Sequence, residues 1–200
     1  MTLIPTDRAR TYYELEMGRT LVHGIIKDSI FISADKLEDK TEAFWYIHLL
    51  PNDYKTGKIY KEYWGKIDNV VFKDGKKLYE YIDRWINKER ECEQKCNHNK
   101  FFRGTQNYDA LKSQDWSLRI RKIFETETGV PVTPKELRKI YITYLANQHV
   151  DDATLKGAAY AMHHSSRMQQ SIYNSQTVLE KVQPIYEYNK RMYQDFFSNS

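Results

Sequence analysis

Residues 158–174 read "AAYAMHHSSRMQQSIYN". Two adjacent histidines follow a run of small residues, and hydroxyls, amides and a tyrosine come after them. His164 and Tyr173 stand nine residues apart. Taken alone, the stretch fits two readings. It is a helix end carrying ordinary surface polar groups, or it is a histidine and a tyrosine that share one piece of chemistry.

The chain around it has 200 residues, enough for one domain with a sizeable core or for two small ones. An aromatic fraction of 14% argues against general disorder. The net charge of +4 identifies no partner by itself. The local distribution is more informative. Seven lysines lie between Lys55 and Lys77 against three acids, with Tyr60, Tyr63 and Trp64 interleaved. Such a stretch suits a phosphate backbone, because lysines displace condensed counterions; it equally describes a solvated hairpin surface. No apolar run reaches the ~18 residues that span a membrane. The start, "MTLIPTDRAR", lacks the apolar core of a signal peptide. Cys92, Cys96 and His98 offer three zinc ligands without a fourth nearby, so the cysteines read as a reduced pair.

Outward from the opening stretch, "DDATLKGAAYAMHH" reads as a helix begun by an Asp cap. Before it lies "TPKELRKIYITYLANQ", a helix to about Gln148. Thr133 is its N-cap, Pro134 its first position and Glu136 the third, a capping box. Residues 108–127 form another helix, with Leu118, Ile120, Ile123 and Phe124 on the expected buried side. Residues 75–94 are helical through Leu78, Tyr81, Ile82 and Trp85. "FWYIHLL" (44–50) is a strand, "PNDYKTGK" a turn and "IYKEYWGKI" the returning strand. Residues 6–18 read as a helix capped by Thr6 or Asp7 and stopped at Gly18. The last thirty residues are helical, with an apolar stripe of Val178, Leu179, Val182, Ile185 and Tyr186. The fold class is α+β, mainly α, with a small antiparallel sheet.

Four stretches in this order carry a resemblance: Arg8 in "TDRARTYYELE", Lys55 in the "YKTGK" turn, "KELR" followed by "YITYL", and "HHSSRMQQSIY". Together they resemble the catalytic domain of the tyrosine recombinases, the phage integrase family, over about residues 5–190. The wording of "TGVPVTPKELR" and "YKTGKIYKEYWGKI" is most similar to integrases of bacterial mobile elements, particularly cyanobacterial ones.

The resemblance implies a DNA breaking-rejoining fold and a site-specific recombinase. Tyr173 is its nucleophile, forming a 3′-phosphotyrosine. Arg138 and Arg8 bind the phosphate, Lys55 is the general acid, and His164 and Lys135 assist. Lys58, Lys61, Lys66, Lys139 and His163 are the expected DNA contacts. No metal or cofactor enters. The partners are double-stranded DNA and further copies of the chain, a tetramer on DNA, and the location is cytoplasmic, at the nucleoid. Residues 1–175 form the catalytic domain. Residues 176–200 form a tail exchanged between protomers, and the family's N-terminal core-binding domain has no room in the chain.

The chain departs from the family in two boxes. Lys135 stands where the family has histidine. Thr11 stands where an acid follows the first arginine, which leaves Arg10 and Arg19 as rivals of Arg8. A DNA-gripping module that no longer cuts, and a topoisomerase or telomere resolvase using the same site, are the alternatives.

Overall fold

The computed structural model describes residues 7–90, 95–105, 107–148, 150–163 and 185–192. A four-stranded antiparallel sheet organises the first half. Its strands are β1 (Leu21–Lys27), β2 (Ile30–Ser33), β3 (Phe44–Leu49) and β4 (Tyr63–Lys66), in the order β2-β1-β3-β4. The expected hairpin of residues 44–67 is present: Tyr46 faces Lys66 and His48 faces Trp64. Its return starts later than expected, because Gly57–Tyr60 winds into a helical turn, α2, that Lys61 ends with φ of 64°.

The β1–β2 hairpin is an element that the apolar and aromatic pattern did not reveal. Asp28 and Ser29 both hold positive φ, the backbone a two-residue hairpin turn of right-handed twist requires. Asp-Ser is a muted version of the usual Asn-Gly signal, and the flanking strands are short.

Alternation along β3 puts Trp45, Ile47 and Leu49 on one face. There they join Leu15, Leu21, Tyr54, Ile67, Ile82 and Phe101 in the core. Ile82 comes from α3 (Leu78–Arg84), which continues through a π-helical turn at Trp85–Glu89. The helix expected over residues 6–18 is confined to α1, Ala9–Tyr13. Beyond it the chain must extend so that Leu15 enters the core and Met17 N–H donates to the Asn99 carbonyl at 2.9 Å. Cys96 is disulfide-bonded, which replaces the expected reduced pair; Cys92, the only other cysteine, lies outside the described residues. Both ring nitrogens of His98 are engaged: Nδ1 accepts from Lys100 N–H at 3.1 Å and Nε2 lies 3.0 Å from the Tyr108 carbonyl.

Three longer helices follow: α4 (Ser113–Thr128), α5 (Pro134–Asn147) and α6 (Asp152–Ala161). The α5 capping box is formed as read. Glu136 N–H donates to Thr133 Oγ1 at 3.4 Å, and Thr133 N–H donates to Glu136 Oε2 at 2.7 Å. Asp151 caps α6, accepting from Thr154 N–H at 2.6 Å. The expected buried side of α4 is corrected. Leu118 and Ile123 are 63% and 55% exposed, and only Ile120 and Phe124 of that set are partly covered. The helix packs through Trp116, which lies against Phe102 and Tyr12. Residues 185–192 are helical and largely exposed; Val178, Leu179 and Val182 lie outside the described residues. Among the described residues no helix is long and apolar enough to cross a membrane.

Candidate active site

Arg8 is the N-cap of α1, and Asp7 before it is the hub of the site. One carboxylate oxygen of Asp7 accepts the Arg8 N–H at 2.6 Å, and the other accepts the Thr11 hydroxyl at 2.7 Å. The Asp7 N–H donates to the Tyr12 hydroxyl at 3.0 Å. The Thr11 side chain thus orients an acid that stands four residues earlier.

Met162 and His163, at the end of α6, close against this hub. His163 is 1% exposed and Asp7 6%. Their side chains meet at 2.8 Å, His163 Nδ1 to Asp7 Oδ2. An aspartate oxygen accepts, so Nδ1 carries the proton. The imidazole sits among Tyr54, Tyr60 and Tyr63, with ring centroids 4.3, 5.7 and 4.5 Å away. This burial corrects the expectation of His163 as a DNA contact, since the ring faces protein on every side. His163 also holds φ of 51°, which histidine tolerates better than most residues.

Arg138 reaches the same place from the first turns of α5. Its Nη2 donates to the Met162 carbonyl at 2.9 Å. Burial lowers its pKa, the charges of Asp7 and Tyr12 counteract this, and the charge of Arg8 adds to the lowering. Arg8 is tied to the same place through Asp7, which accepts its N–H and meets His163, next to the Met162 carbonyl that holds Arg138. The rival arginines are engaged on the surface: Arg10 with Glu14 at 2.8 Å, and Arg19 with Glu16 at 3.0 Å and Asp53 at 2.8 Å.

The β3–β4 connection supplies the fourth side. Thr56 Oγ1 donates to the His163 carbonyl at 3.4 Å, and Tyr54 packs on the His163 ring. Lys55, between them, is exposed. Gly57 keeps this turn in place: a Cβ there would stand 2.0 Å from the Pro51 carbonyl oxygen. Lys135 and Lys139 are exposed on α5, and Lys58, Lys61 and Lys66 are exposed along the hairpin, with Lys66 Nζ over the Phe44 ring. His164 and Tyr173 lie outside the described residues.

The structure therefore gathers Arg8, Arg138 and the Lys55 turn, which the sequence had singled out. It adds Tyr54, and it gives Asp7, Thr11 and Tyr12 hydrogen bonds to one another that their places in the sequence did not announce. The signal for Asp7 was its place beside Arg8, read there only as a helix cap. Within this cluster Arg8 Nε, Arg138 Nε and His163 Nε2 are buried with no hydrogen-bond partner among the described residues. Buried polar groups are normally paired, so these spare donors stand out among the described residues. Comparison of the chain with family models, curated proteins and solved structures finds no match.

Proposed function

We propose that the chain is a tyrosine recombinase catalytic domain, which cleaves and rejoins duplex DNA through a 3′-phosphotyrosine. One observation carries the reading. The Asp7–His163 contact brings the start of α1, with Arg8, to the end of α6, where Arg138 donates to the Met162 carbonyl and Thr56 of the Lys55 turn donates to the His163 carbonyl. That is the set of elements the four sequence boxes occupy.

The chemistry accounts for each residue type. A phenol with a pKa of about 10 is a weak nucleophile at neutral pH, so its attack on phosphorus needs a stabilised phosphorane. Arg8 and Arg138 hold the non-bridging oxygens and keep their charge throughout. The Tyr173 hydroxyl gives its proton to solvent as its oxygen bonds to phosphorus, and the P–O5′ bond breaks as Lys55 protonates the leaving 5′ oxygen. His164 and Lys135 hold the phosphate oxygens. Attack by a 5′ hydroxyl reverses the step and restores the DNA without an external energy source. Assembly as a tetramer on DNA, with the tail after Ser175 passed between protomers, belongs to the same reading.

The test is incubation with nicked duplexes drawn from the flanks of the gene. The native chain should form a covalent adduct at Tyr173. Tyr173→Phe should form none while binding DNA nearly as well. Adducts that persist in this variant, or that map to Tyr160 or Tyr186, refute the assignment. Lys135 in the histidine place favours a second reading, a module that grips DNA without cutting. It predicts binding with no adduct from any substrate.

A further inference from the structure

Asp7 and His163 are buried against each other, 156 residues apart in the chain, and neither is needed for the chemistry above. The other parts of the site are tied to one of them or to Met162, beside His163. Asp7 takes the Arg8 N–H and the Thr11 hydroxyl. His163 takes the Thr56 hydroxyl on its carbonyl and three tyrosine rings around its imidazole. Arg138 is anchored one residue earlier, on the Met162 carbonyl. Asp7 is the carboxylate of this cluster, and its charge favours the Arg138 guanidinium against the cost of partial burial.

We infer that Asp7 and His163 form a buried clamp that positions Arg8 and Arg138 together. They are positioning residues: they act through the arginines and touch no substrate. The left-handed backbone at His163 fits this role, since strained conformations persist where surrounding contacts over-determine them. The activity part of the inference rests on the recombinase reading; the geometric part does not.

The experiment uses the full chain. Asp7→Asn should slow adduct formation by about 100-fold, the scale for misplacing one transition-state donor, while duplex binding changes little. In an Arg138→Lys background the same change should cost little more, because both act through one guanidinium. Losses that instead add to within about twofold would mark Asp7 as a merely structural residue and overturn the clamp. His163→Asn keeps a donor near the Nδ1 position and accepts the left-handed backbone, so it should retain most of the rate. His163→Gly keeps the backbone and loses the donor, and should match Asp7→Asn. An Asn variant no better than the Gly variant overturns the clamp, even if Asp7→Asn does not fold.

A second readout needs no activity. The Nε–H proton resonances of Arg8 and Arg138 should shift or exchange faster in His163→Gly and stay in place in His163→Asn. Unmoved signals in the Gly variant overturn the clamp even in a chain that cuts. Moved signals in a chain whose native form makes no adduct support the clamp and refute the recombinase reading.

Discussion

Arg138 is a partly buried cation whose Nη2 donates to the Met162 carbonyl and whose charge is favoured by Asp7. Lysine in its place keeps the charge but loses the planar fork. Arg138→Lys should therefore lower single-turnover cleavage by about 100-fold or more, with modest loss of DNA affinity. A second residue reports through pH. Burial pushes the Tyr12 phenol up to about 12, against an unfolded value near 10. The folded chain thus holds this proton more tightly than the unfolded chain. The stability it contributes is complete below about pH 10 and is lost as pH rises toward 12, by roughly 2–3 kcal/mol. Urea midpoints measured across that window should fall, and Tyr12→Phe should flatten the fall. At this scale the sequence was half legible. Arg8, Arg138 and Lys55 stand in a spaced pattern, whereas Asp7 and His163 reveal their pairing only when the chain folds. An acid read as a helix cap and a histidine read as a phosphate contact had satisfactory local explanations, and the structure overrides both.

Helix α5 is the element whose existence and start were plainest in the sequence, because a capping box is a local device. Thr133→Ala removes its cap oxygen and should lower stability by about 1 kcal/mol in denaturant titration, where an unchanged midpoint would show the cap to be idle. The β3–β4 turn depends on a close approach instead. In Gly57→Ala the new methyl meets the Pro51 carbonyl, so stability should drop by about 1–3 kcal/mol and cleavage should fall further, since Lys55 is two residues away. Elements shaped by distant contacts were the ones misread. Helix α1 ends early because Leu15 is needed in the core and Met17 must pair with Asn99. The apolar residues of α4 suggested a buried face, but Trp116 is the side chain that docks, and it leaves Leu118 and Ile123 to solvent. In the β1–β2 hairpin, Ser29 holds φ of 64°. Ser29→Gly should stabilise the fold by roughly 1 kcal/mol, as relief of a left-handed residue does.

For the whole molecule, a mixed α+β outline with a small sheet was readable from patterning, while strands β1 and β2 and the closure of the site were not. The exposed lysines of the hairpin and of α5 lie on the elements that frame the arginines. Duplex binding should weaken steeply with salt, with log K falling by about 0.9 per decade of salt for each phosphate neutralised; salt-insensitive binding would argue against a nucleic-acid role. The contact between Asp7 and His163 also sets an order of events during synthesis. A ribosome working at roughly 5–20 residues per second delivers the aspartate on the order of ten seconds before its partner histidine. In that interval the nascent polypeptide holds one arginine box with nothing to close it. The cluster around the two side chains therefore closes only once His163 has left the exit tunnel, so it is assembled late and from distant parts of the chain.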